Sequence, residues 1–200
     1  MKNEKLVFTD RNIYFEQNPK SVVMDLASQS LMKMYSYIVC QNGGSVLDVG
    51  FGMGFSANEM SKLADHYTCI EINPQVYERA LEWAKNKSNV TIIFGDWVDI
   101  IPKMTSKYDG IFMDTHDDPN YYKFEEYCKN IANENCILSI FNYFTIKDSN
   151  QLNYYDYVIE PMKFTKLVES THTINWTYFN NGEFNKGSNV IKFKSPTCII

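Results

Sequence analysis

From Ser45 onward, short apolar runs rich in β-branched residues alternate with segments whose apolar positions recur every three or four residues. "SVLDVG" predicts a first strand and "SANEMSKLAD" the helix behind it. "YTCIEI" predicts a second strand, followed by a helix in "NPQVYERALEWAKNK". In that helix Val76, Ala80, Leu81, Trp83 and Ala84 fall mostly on one face, while Glu78, Arg79, Lys85 and Lys87 stay in water. "VTIIFG", "YDGIFMD" and "CILSIFNYF" supply three more strands, with short helices in "WVDIIPKM" and "PNYYKFEEYCKNIAN" between them. Strands joined through helices need crossovers, so the pattern predicts an α/β fold with a parallel sheet. Strands this uniformly apolar are covered on both faces.

The flanks follow other rules. "SVVMDLASQSLMKMYSYIVC" carries Val, Leu and Met at helical steps and predicts one leading helix over residues 21–42, closed at Gly43 or Gly44. Residues 1–20 hold Phe8, Tyr14 and Phe15 with little periodicity, as an arm on the surface or a lid would. Beyond the fifth strand, "FTKLVESTHTINWTYFN" and "NVIKFKSP" read as extended, separated by "NGEFNKGS". They predict a hairpin that closes the sheet with antiparallel strands. No repeat or linker divides the chain, so residues 1–200 are expected to form a single domain, with a ligand-binding core over 45–143 and substrate-side and closing strands over 144–200.

Composition narrows the function classes. A chain 44% hydrophobic and 22% charged belongs with globular proteins rather than disordered ones. The net charge of −5, with no dense Lys/Arg cluster, argues against a nucleic-acid partner. "MKNEKLVFTD" lacks the apolar centre of a signal peptide, and no apolar run is long enough to span a membrane. Cys40, Cys69, Cys128, Cys136 and Cys198 are odd in number and form no C-x-x-C pair. Unpaired thiols in a reducing, cytoplasmic compartment are the expectation.

In parallel sheets of this kind, ligands bind beyond the C-terminal ends of the strands. Candidate chemistry therefore lies at Gly50, Glu71, Asp96, Asp114 and Asn142. Gly50, Gly52 and Gly54 in "VLDVGFGMGFSA" let the backbone turn and approach a ligand without a Cβ in the way. Their G-x-G-x-G spacing leaves less room for a diphosphate than G-x-G-x-x-G does. Glu71 ends the second strand about twenty residues later, where a carboxylate accepts hydrogen bonds from ribose hydroxyls. Asp96 and Trp97 follow the third strand. There an indole could stack on adenine or belong to the core, and a carboxylate could take the adenine amino group. Asp114, Thr115 and His116 crowd the end of the fourth strand, where a carboxylate with an imidazole suits a cationic or proton-losing nitrogen. Asp114, His116, Asp117 and Asp118 could also hold a divalent ion. All four lie on one short turn with no second cluster elsewhere, so no metal is expected.

Taken in order, these motifs resemble those of class I S-adenosylmethionine-dependent methyltransferases, and more narrowly guanidinoacetate N-methyltransferase and arginine δ-N-methyltransferase. The resemblance rests on "VLDVGFGMGFSA", "IEINPQVYERALEWA" and "GDWVDIIPKMTSKYDGIFMDTHDD" and covers about Asn18 to Tyr143. It implies a Rossmann-like methyltransferase fold, with a mainly parallel seven-stranded sheet and an antiparallel C-terminal hairpin. It also implies S-adenosylmethionine as cofactor. Gly50, Phe51, Gly52, Met53 and Gly54 would then wrap the cofactor's methionine part and sugar. Glu71, beside Ile72, would hold the ribose, and Asp96 and Trp97 would flank the adenine. Asp114 matches the acid that binds a guanidinium and draws off its proton, with His116 two residues further on as a catalytic companion. The family's second substrate-facing acid falls at Ser28 or a neighbour, so the acceptor departs from the family pattern while the cofactor side does not.

The expected partner is therefore a small-molecule or peptide methyl acceptor. Two rivals share the fold: an aminopropyltransferase of the spermidine-synthase type, and an inactive methyltransferase-fold binding partner. The first usually has Gly-Gly-Gly-Asp-Gly where this chain has "GFGMG". Tyr-rich stretches such as "NYYKFEEY" and "NYYDYV" suit a pocket, a peptide groove or a homodimer face, with packing as the plain reading.

Overall fold

The computed structural model describes residues 4–120, 123–141, 166–180 and 183–199. Among them, two sheets form. The first is antiparallel and three-stranded, in the order β1–β2–β3, from β1 (Leu6–Phe8), β2 (Asn12–Phe15) and β3 (Asn18–Asp25). A short 3-10 turn (Leu26–Ser28) then leads into α1 (Gln29–Val39).

The second sheet has seven strands. It is built from β4 (Ser45–Val49), β5 (His66–Glu71), β6 (Val90–Phe94), β7 (Tyr108–Met113), β8 (Ala132–Ile140), β9 (Lys166–Asn180) and β10 (Glu183–Ile199). Their order is β6–β5–β4–β7–β8–β10–β9. The pairs among β4 to β8 are parallel, and β10 runs antiparallel to both β8 and β9. Helices α2 (Phe55–Leu63), α3 (Pro74–Ala84), α4 (Trp97–Ile100) and α5 (Phe124–Lys129) fall in the crossovers. The expected α/β Rossmann-like methyltransferase fold is present, with strand order reversing at β4, where β5 and β7 flank it.

Two-residue alternation divides the core between the faces of this sheet. Val46, Tyr67, Cys69 and Phe112 join the cluster under α1 and α2 with Tyr35 and Met60. Leu47, Val49, Ile111, Met113 and Leu138 join the other, with Trp97 and Phe124. Asp48 shares the parity of Val46, so a carboxylate enters the first cluster with no exposed surface. Cys40, Cys69, Cys128 and Cys136 are buried and not joined by disulfides. No described helix is long and apolar enough to cross a membrane.

The leading segment differs from its sequence pattern. Residues 21–25 are strand, not helix: Tyr14 pairs with Val22, Ile13 with Met24 and Asn12 with Asp25. "SVVMD" offers adjacent β-branched residues, which lose side-chain freedom in a helix and fit a pleated edge. Helical structure begins only after Asp25, whose carboxylate caps the 3-10 turn by accepting from the Ser28 N–H at 3.2 Å. Residues 1–20, read as an arm or lid, supply β1, β2 and the start of β3. The C-terminal hairpin forms as expected but is longer than its pattern. "EFNKGS" pairs as strand, in register from Glu183↔Asn180 to Thr197↔Lys166, because these backbone groups find ladder partners. Asn142 and the "NYYDYV" stretch lie outside the described residues.

Candidate functional site

Between the C-terminal ends of β4, β5 and β7 and the overlying three-stranded sheet lies a cavity of about 690 Å³. That volume falls within the range of small-molecule and cofactor sites. Gly50, Gly52, Glu71, Ile72, Asp96, Trp97, Asp114 and His116 line it from the core, and Phe15, Asn18, Ser21 and Met24 from the sheet above.

The glycine loop is shaped by its neighbours as much as by open space. Gly50 has φ +101°, and a Cβ there would collide with the Asp114 carbonyl. The Gly50 N–H donates to the Ile70 carbonyl at 2.9 Å and Asp114 N–H to the Val49 carbonyl at 2.9 Å, so the loop is drawn tightly between β5 and β7. Over Gly52 sits the Met24 side chain, whose Sδ accepts from the Met53 N–H at 3.2 Å. The expected loop residues therefore separate. Gly50 and Gly52 reach the cavity; Phe51, Met53 and Gly54 do not line it. Phe51 is buried with its ring 5.4 Å from that of Trp83, and Met53 packs on the same apolar cluster. Gly54, at φ +75°, starts α2.

Glu71 is 3% exposed. Its Oε2 accepts from the Phe51 N–H at 2.9 Å and its Oε1 from the Asn73 N–H at 2.7 Å. Burial raises its pKa, and these backbone donors pull it back down. The backbone N–H groups of Ile72 and Gly52 add to this support, so protein donors hold the carboxylate where it lines the cavity.

Asp96 caps α4, its Oδ1 accepting from the Val98 N–H at 3.0 Å. Trp97 is only 3% exposed. Its ring meets Phe124 and Tyr127 edge-on at 5.3 and 5.7 Å, and its indole N–H donates to Asp118 Oδ2. The indole is thus mainly a core side chain with one edge on the cavity wall.

Asp114 lines the cavity at the end of β7, and among the described residues no hydrogen bond reaches its carboxylate. Burial, then the negative charges of Asp48 and Glu71, push its pKa up to about 7. His116, also on the wall, packs at a tilt against Phe15 of the overlying sheet, with centroids 5.5 Å apart. Its Nε2 lies 3.4 Å from Asp117 Oδ2, in ion-pair range when protonated but without hydrogen-bond alignment. No group of three or more His, Cys, Asp or Glu side chains among the described residues is arranged to hold a metal ion.

Three contributors escaped sequence reasoning. Asp48 accepts from Ser56 Oγ and Tyr67 Oη on one oxygen, each at 2.8 Å, and its other oxygen has no partner. Burial raises its pKa to about 7. The signal was a lone acid inside an apolar strand. Met24 and Phe15 reach the cavity only because the segment before α1 folds as a sheet, and their own sequence carries no sign of it. Ser28, where a second substrate-facing acid was expected, is buried with its hydroxyl 3.3 Å from Asp25 Oδ1 and does not line the cavity.

Asp48, Glu71 and Asp114 thus crowd three carboxylates around the strand ends, and their mutual repulsion contributes to the raised values at Asp48 and Asp114. Such a site favours a cationic occupant. A cavity of this charge and volume has the chemistry to receive a sulfonium-bearing nucleoside.

The profile of the family described as Guanidinoacetate N-methyltransferase matches residues 8–159. Protein arginine N-methyltransferase 2 of Yarrowia lipolytica is 29% identical over 155 residues, covering 70% of this chain and 32% of that protein. Catechol O-methyltransferase of Bos taurus is 31% identical over 111 residues, covering 46% of this chain and 41% of that one. The chain thus spans between about a third and two fifths of these relatives' length. Among solved structures, spermidine synthase from Thermotoga maritima superposes with a TM-score of 0.60 at 12% identity, covering 96% of this chain and 72% of that one. Precorrin-6y C5,15-methyltransferase from Geobacter metallireducens superposes with a TM-score of 0.57 at 12% identity, covering 86% and 88%. These superpositions speak to the fold.

Proposed function

The chain belongs to the guanidinoacetate N-methyltransferase family, and from that premise we propose that it transfers a methyl group from S-adenosylmethionine to a nitrogen of a small molecule or peptide, of guanidino or amine type. The observation that carries this reading is the Asp114 carboxylate, which accepts no hydrogen bond from the described residues and lines a cavity that Glu71 also lines.

Bound there, S-adenosylmethionine would supply a methyl group on a sulfonium leaving group. The protein's work is then alignment and proton removal. Gly50 and Gly52, which line the cavity, border the methionine part and sugar, with the Met24 side chain lying over Gly52. Glu71 meets the ribose hydroxyls at the cavity wall, while Asp96 and the edge of Trp97 border the adenine. Asp114 orients the acceptor nitrogen by accepting its N–H. As the nitrogen–carbon bond forms and the carbon–sulfur bond breaks, the proton of that N–H passes to Asp114. A carboxylate with a pKa near 7 suits this role, since it ionises near neutrality yet holds a proton better than an exposed aspartate. His116, packed on Phe15, completes the acceptor wall. Ser28 in place of an acid weakens the case for guanidinoacetate itself and favours another acceptor. Four buried cysteines outside any disulfide support a reducing, cytoplasmic setting.

The test is a calorimetric titration with S-adenosylhomocysteine, followed by methyl transfer to guanidinoacetate, arginine peptides and simple amines. Binding together with a one-methyl mass gain on a nitrogen is expected. Turnover of decarboxylated S-adenosylmethionine alone would favour aminopropyl transfer, and no affinity for either nucleoside would favour an inactive binding partner.

A further inference from the structure

The sheet that roofs the cavity is tied to the element carrying Glu71 by side chains that do not touch the cavity. Gln75, in the first turn of α3, accepts the Leu6 N–H on Oε1 at 2.8 Å and donates from Nε2 to the Leu6 carbonyl at 3.4 Å. One side-chain amide thereby engages both backbone groups on the free edge of β1, as a neighbouring strand would. Two residues earlier, Asn73 Nδ2 donates to the Glu4 carbonyl at 3.1 Å. The backbone N–H of Asn73 meanwhile donates to Glu71. One turn further along α3, the Arg79 guanidinium lies 4.4 Å from the centre of the Phe8 ring.

Otherwise the sheet rests on the core through half-buried side chains, Phe8, Phe15, Val23 and Met24. Within β1 to β3 only Leu6 and Ile13 are buried apolar side chains. Segments with few buried contacts open at low free-energy cost. A nucleoside in the cavity would lie under this roof, whose closure Gln75 favours without touching the ligand.

Resting on the cofactor reading above, we propose that Gln75 is a positioning residue that latches the N-terminal sheet over the bound nucleoside and sets how slowly it leaves. Two neutral hydrogen bonds correspond to roughly a tenfold bias toward the closed state. Gln75→Ala is expected to speed dissociation of S-adenosylhomocysteine about tenfold. It should also accelerate amide exchange in residues 4–9 while leaving β4 and α2 protected. Gln75→Glu keeps the acceptor for Leu6 N–H but loses the donor, and should fall between the two.

Stopped-flow displacement and hydrogen–deuterium exchange on the full chain read both effects. Local loosening with faster release supports the latch. A Gln75→Ala protein that releases and exchanges like wild type overturns it, as does loosening spread evenly over the chain. Wild-type protein that binds no S-adenosylhomocysteine overturns the proposed function, and this proposal with it.

Discussion

Asp114 carries the clearest predictions at the scale of a single residue. Asp114→Asn keeps the shape of the side chain but removes the proton acceptor, so methyl transfer should fall by about a hundredfold or more. Affinity for S-adenosylhomocysteine should stay within a few-fold, as measured by calorimetry beside single-turnover rates. The base form is needed for transfer. The acceptor kcat/KM should therefore rise with pH to a plateau, with its acidic limb at or below the value of about 7 seen without ligand. A bound sulfonium would move that limb lower, because an adjacent positive charge favours the carboxylate.

Among the structural elements, the glycine loop separates what was readable from what was not. That a tight turn sits after β4 follows from three glycines at alternate positions behind an apolar run. Which loop side chains face the ligand did not follow, since the fold sends Phe51 onto Trp83 and leaves Met53 off the cavity. Gly50→Ala tests the turn itself. Its positive φ and the Asp114 carbonyl both oppose a Cβ. The change should cost about 1–3 kcal/mol of stability and displace the β7 end. Denaturant melts would show the first effect, and weakened S-adenosylhomocysteine binding the second. The leading segment teaches the complementary lesson. Its apolar spacing satisfied a helix as well as a strand over residues 21–25, and pairing with β2 decided between them.

For the molecule as a whole, the buried acids couple function to stability. The Asp48 pKa is raised from 3.8 to about 7, so the folded state prefers its neutral form. This contribution is full below pH 3.8 and is lost as pH rises through about 7. Asp48→Asn does not titrate and can still accept from Tyr67 and Ser56. The unfolding free energy of the variant relative to wild type, read from denaturant melts, should therefore climb between about pH 4 and 7 and level off above, by an amount on the order of a few kcal/mol. A difference that is flat with pH would mean that Asp48 is ionised throughout.

The sequence by itself determined the architecture and the addresses of the chemistry. Alternating strand and helix periods require parallel crossovers, and such sheets expose the ends of successive strands on one edge. Glu71, Asp96 and Asp114 were thereby marked before any coordinates. Only the tertiary structure decided what each of those residues does. It turned Trp97 into the core through Phe124 and Asp118, and it folded into one sheet a segment that the pattern left as an arm or a lid followed by a helix. It also brought Asp48 close enough to Asp114 for its charge to raise the Asp114 pKa. Periodicity records which face of an element is buried, but these outcomes depend on contacts between residues far apart in the chain, which no local pattern encodes.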